Sequence, residues 1–329
     1  MSFFLQRWLG GGGPWGRQEV SQAVERLIDE VDPKVRLLPR SQQQLQRGVR
    51  DTLRYASELI EHLPAPLDLS PAGYTTDRRV GLLFASPESL CRVLQGSEAL
   101  QQYFSHPSNP DTVYLLLVMQ PQARQRLGSQ LLPDGQVQND VPQQVISFEQ
   151  HRVVAAYDSL KNLRQLAGME AFNALCRDLA RRVALFDARR QQLEAERQRV
   201  LLRLAAGGQT LINAAALRGR DDVKDAELPQ RLQQLDAELA VMGKQLSLPG
   251  KLDYLRQVLR QPQQYIKAGL ESTWLDRMGV VTPPDLGGAQ LDFGLMKLGE
   301  AEDSVRERVV FPGSITRRDL QQWRERWPQ

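Results

Sequence analysis

Very little of this chain is reactive. Its 329 residues include only two cysteines and three histidines, and aromatic residues make up 6%. Two cysteines, Cys91 and Cys176, build no disulfide framework. His62, His106 and His151 lie far apart in sequence and beside no other ligand-type residues, so no metal motif is present. No apolar run approaches the roughly 18 residues a membrane-crossing helix needs. The first thirteen residues lack the basic start and long apolar centre of an export signal, which leads us to expect a reducing, cytoplasmic setting. Charge of one sign is also lacking. Against 42 basic residues stand 39 acidic ones, and a net +3 argues against nucleic acid as a partner.

Nor is there a G-x-S-x-G elbow, a P-loop or an H-E-x-x-H helix. Gly11, Gly13 and Gly16 match G-x-G-x-x-G in form, but no strand precedes them and no βαβ unit follows. Asp221-Asp222 and the acidic residues between 300 and 303 read as solvated turns. The sequence therefore nominates no catalytic, cofactor-binding or metal residue.

What is present is periodicity. From Phe172 to Leu204 a seam recurs in steps of four and three, through Cys176, Leu179, Val183, Phe186, Arg190, Leu193, Arg197 and Val200, apolar at all but the two arginines. Leu228, Leu232, Leu235, Leu239, Met242 and Leu246 repeat the pattern. Helices packed along a narrow seam carry such spacing. Folding the two back antiparallel predicts layers of Phe186 with Leu239, Arg190 with Leu235 and Leu193 with Leu232. It also sets Glu196 beside Arg231. Gly207-Gly208 would end the first helix, and residues 207–222 would form the tip.

Strand signals flank this middle. Val80–Phe84 reads as a buried strand, and Ser86-Pro87 opens a helix. Thr112–Val118 is the most apolar run. Pro133-Asp134-Gly135 marks a turn, and Val145–Phe148 with Arg152–Ala156 suggests a hairpin closed near His151. Leu291, Phe293 and Leu295, then Val305, Val309 and Phe311, read as two further strands. A lone hairpin is marginal in water, so these should complete the earlier sheet.

The expected fold is α+β and helix-rich: a discontinuous mixed β-sheet body with an inserted, long antiparallel helical arm resembling a coiled coil. Residues 1–16 form an apolar peptide and glycine linker, and 17–66 a helical hairpin. Residues 74–157 begin the sheet, 158–275 make the arm, 286–313 complete the sheet, and 315–329 form a terminal helix.

Such an organisation describes an architecture rather than a reaction. It favours a non-catalytic interaction or scaffold protein whose arm binds a protein partner or a second copy, with no cofactor. Arg218 and Arg220 near the tip, and Trp323 and Trp327 in the terminal helix, are the candidate contact residues, since Arg and Trp are enriched in binding hot spots. A second reading is a peripheral membrane protein that lays Phe4, Trp8 and Leu9 on a lipid surface. A third is an enzyme whose site the sheet assembles from residues distant in sequence.

Overall fold

A computed structural model describes residues 15–61, 63–131, 136–210, 227–299 and 305–327. The fold is α+β, with a six-stranded sheet and a helical arm. Described residues fall into two compact units, and the divisions at 50/51 and 175/176 lie inside helices.

The first unit holds Trp15, residues 51–175 and 261 onward. Its centre is β2 (Thr112–Leu131), which pairs antiparallel with β3 (Val137–Tyr157) on one side and β6 (Arg306–Thr316) on the other. Next come β5 (Ala289–Leu298) and β4 (Ile266–Leu275), giving the order β3-β2-β6-β5-β4. The short β1 (Leu67–Asp68) runs parallel to β6. Beyond β4 the chain turns at Gly279, where φ is +76°, and Val280 bridges back to Val145 of β3. The two ends of the strand order are thereby joined.

Alternation along β2 assigns each side chain to a layer. Val113, Leu115, Leu117 and Met119 enter one core with Phe293, Leu295, Val309 and Phe311. That core is covered by α3 (Pro71–Thr76), α4 (Arg78–Leu83), α5 (Pro87–Gln95), α6 (Glu98–Ser105) and α10 (Arg317–Arg326). Leu116 and Val118 enter a second core on the opposite face, with Val310 and Ile266. There the cover comes from Ala56 and Ile60 of α2 (Ser41–Ile60) and from Leu163, Ala167 and Ala171 of α7 (Leu160–Thr210). The two helices approach closely. A Cβ at Gly168 would lie 2.9 Å from the Cα of Ser57, whose hydroxyl also accepts the Trp15 indole N–H.

The second unit holds Gly16–Arg50 and Cys176–Arg260. It comprises α1 (Arg17–Val31), the start of α2, the rest of α7, α8 (Leu228–Leu246) and α9 (Leu248–Arg260). Val24, Leu27, Val49, Leu179, Leu255 and Val258 are buried in it. Two ionic clusters accompany them. Asp178 is 4% exposed and bonds both Arg181 and Arg182 at 2.7 Å, while Lys251 reaches Asp32 at 2.8 Å. Along the arm, Leu193, Val200 and Leu235 form a small buried seam.

Several expectations change. Val80–Leu83 is helix rather than strand, with Phe84 as its C-cap: Asp77 caps the Arg79 N–H at 3.0 Å, and Val80, Leu83 and Phe84 are buried. An apolar run this short does not distinguish the two states by periodicity. Residues 145–156 form one strand, not a hairpin. Gln150, with φ +53°, absorbs the apparent turn as a bulge where the β2 register shifts. Strand β4 lies inside the span 158–275 assigned to the arm. Gly207 and Gly208 continue α7 to Thr210 instead of ending it. The tip beyond falls outside the described residues.

Glu196 pairs with Arg231 at 2.7 Å as expected, Leu193, Val200 and Leu235 are the buried residues of the seam, and Arg197 reaches Asp236 at 2.5 Å.

Two outcomes test these contacts. Gly168→Leu should destabilise the protein by about 1–3 kcal/mol in urea, as overpacking does. Leu193→Cys with Leu235→Cys should close an intramolecular disulfide under mild oxidation; crosslinks between chains instead would exclude this seam.

Candidate functional site

Among the described residues, the two cysteines and His151 are drawn into the packed interior to different degrees. Cys91 on α5 is 2% exposed, and its thiol points to the carbonyl of Trp323 at 3.4 Å while Gln95 donates to the sulfur at 2.9 Å. Burial pushes its pKa up. Cys176 is fully buried, and burial pushes it up to about 12. Only the thiolate is a strong nucleophile, so both cysteines are chemically quiet in this fold.

His151 lies within β3, not at a hairpin turn. Its Nε2 donates to the Leu83 carbonyl at 2.8 Å, and the ring stacks on Phe84 with centroids 4.5 Å apart. Burial lowers its pKa, only partly opposed by that bond. Tyr157 is raised to about 12 by burial and the charge of Glu170. Among the described residues no three His, Cys, Asp or Glu side chains gather as metal ligands.

An open hollow of about 450 Å³ is lined by Gln22, Glu25, Arg26, Asp29 and Glu30. All five lie on α1. Two of its carboxylates are spoken for, since Arg36 bridges Glu25 at 2.7 Å and Asp29 at 2.6 Å. This is an ion-paired helix face and not an enclosed reaction chamber.

The proposed contact residues divide. Thr316 and Asp319 form a reciprocal cap that starts α10 where the sequence places it. The helix then turns Trp323 inward. It is 1% exposed, donates its indole N–H to the Leu69 carbonyl at 2.8 Å and meets Tyr74 edge-on at 6.3 Å. Trp323 is therefore packed in the core and not at the surface where a contact residue was expected. A large apolar ring gains more from burial than it would from an exposed stripe. Trp327 stacks on Trp323 at 4.9 Å and donates to Glu88 at 2.8 Å, so it is only partly accessible. Arg218, Arg220, Phe4, Trp8 and Leu9 lie outside the described residues.

Apolar side chains that do face water went unnoticed in the sequence. On the arm these are Leu185, Phe186, Leu202 and Val241; near β4 they are Leu270, Trp274 and Met278. The heptad spacing sets Phe186 in the seam with Leu239, yet it is 46% exposed. The heptad pattern alone did not distinguish a covered seam position from an uncovered one.

His151 makes a prediction about acid. Its folded pKa is depressed, so between the ordinary value of 6.5 and that lower value the unfolded chain binds a proton the folded chain refuses. Stability should fall as pH drops through 6.5, above the carboxylate range. Urea unfolding at pH 7.5 and 5.5 should show the loss, and His151→Gln should flatten it. An equal slope in both proteins would count against the buried neutral imidazole. Among known proteins, the chain matches no family model, no curated sequence and no solved structure.

Proposed function

We propose that this is a non-catalytic, cytoplasmic interaction protein whose helical arm binds a protein partner or a second copy of itself. The observation that carries the reading is Phe186. It occupies a heptad position on α7, yet it and its neighbour Leu185 are 46% and 57% exposed. On α8, Val241 is 59% exposed. Stepping along both helices from the Glu196–Arg231 pair brings Phe186 level with Val241. Three apolar side chains at one level of a helical hairpin offer holes to the knobs of an additional helix.

Chemistry supports the same reading from the other side. Cys91 and Cys176 are buried, and the half-buried His151 is held by the Leu83 carbonyl and the Phe84 ring. No helix among the described residues is long and apolar enough to cross a membrane. A cytoplasmic setting accords with the two reduced, buried cysteines.

The test is a triple substitution, Leu185→Glu with Phe186→Glu and Val241→Glu. All three positions are exposed, so thermal unfolding should shift little. A partner that co-purifies with the native chain should be lost from the variant. Retention of that partner by a folded triple variant would refute binding through this part of the arm.

A further inference from the structure

Strand β4 ends the sheet order and pairs with β5 along its whole length, from Ile266↔Leu298 to Leu275↔Ala289. Its other side is closed only at the ends. Tyr55 donates its hydroxyl to the Ile266 carbonyl at 3.1 Å, and the Thr282 N–H donates to the Trp274 carbonyl at 3.0 Å. In an antiparallel ladder, residues alternate between exchanging both backbone groups with the neighbour and turning both away. Ile266 and Trp274 turn away from β5, so Ala268, Leu270 and Ser272 between them do the same. Among the described residues no partner strand lies alongside this window. Leu270 within it is 54% exposed, and Lys267, Gly269, Glu271 and Ser272 are also exposed. Such an edge is a template for another strand.

We propose that β4 is a self-pairing edge, through which two copies of this chain join antiparallel about a two-fold axis at Leu270. The occupant follows from the window itself. With Leu270 opposite its own copy, Ala268 faces Ser272 of the second copy and the reverse. All three outward-facing residues then exchange both backbone groups. Sliding the axis to Ala268 sets the Ile266 carbonyl, already held by Tyr55, into the new ladder. Sliding it to Ser272 does the same to the Trp274 carbonyl held by Thr282. The two caps thus leave one register in which every outward group is served.

Side chains agree with that register. On one face Leu270 meets Leu270, an apolar pair on the axis. On the other, Lys267 faces Thr273, and Glu271 faces Gly269 with Lys267 of the second copy on its diagonal. Opposite charges on such neighbours are favourable, and the missing side chain at Gly269 leaves Glu271 room. Within its own chain Glu271 lies 3.9 Å from Lys297, so it already inclines toward a cation. A C2 interface requires this kind of self-complementarity, whereas capture of an unrelated strand would not.

Sedimentation velocity of the full chain tests the inference. The native protein should dimerise at micromolar concentration. Leu270→Pro should be monomeric with an unchanged far-UV circular dichroism spectrum, because the lost N–H points away from β5. If that variant unfolds, Leu270→Lys sets like charges together on the axis and should give a folded monomer. Leu270→Cys should form a covalent dimer on mild oxidation, with no background from the buried Cys91 and Cys176, while Lys267→Cys should not. A native chain that stays monomeric, a dimer that survives in a folded Leu270 variant, or equal crosslinking at 267 and 270 would each overturn the proposal. A monomer that binds an extended foreign peptide along β4 would overturn it as well.

Discussion

The body depends on one requirement: both faces of β2 must be kept from water. From Val113 to Met119 every residue but Tyr114 is buried, with odd positions on one face and even positions on the other. At about 25 cal/mol per Å² of apolar surface, leaving either face wet would forfeit several kcal/mol. Two helical layers follow from that. The short helices between 71 and 105, with the terminal helix, cover one face; α2 and the start of α7 cover the other. Trp323 belongs to this account, since the first face needs a large side chain over Leu69 and the adjoining strands.

Coverage fades toward the ends of the strand order, and that is where unspent surface collects. At β4 only Ile266 and Leu275 are buried, and the strand between them keeps its outer backbone groups. Along the arm, the seam encloses Leu193, Val200 and Leu235 but leaves Phe186 half open. Reactive groups behave in the opposite way. Cys91 and His151 are drawn into the packed layer, where their polar atoms bond backbone and their pKa values move away from neutrality. The exposed apolar side chains of the arm and of β4 are the observations on which the proposed interaction role rests.

Where the sequence was legible, a strong local signal agreed with burial. Ser86-Pro87 and Thr316-x-x-Asp319 each capped a helix, and the apolar run at 112–118 formed the central strand. The strands at 289–298 and 306–316 joined the earlier sheet, because a lone hairpin lacks a face to bury. Where it was not legible, the competing signals were weak or matched. Val80–Phe84 is too short for its period to separate strand from helix. Glu149-Gln150-His151 looks like a turn because a bulge needs similar backbone freedom. Strand β4 is exposed on both faces over most of its length, so it carries almost no alternation to read.

The sequence by itself determined the class: a helix-rich α+β chain with a two-faced central strand, a heptad-patterned arm and no reactive motif. Those properties are local or periodic, and hydrophobic spacing records them directly. Tertiary structure decided which apolar residues were used up. It buried Trp323, enclosed Leu193, Val200 and Leu235 along the arm, and left Phe186 and Leu270 in water. Periodicity says which face of an element is apolar. Only the packed chain decides whether anything lies against it.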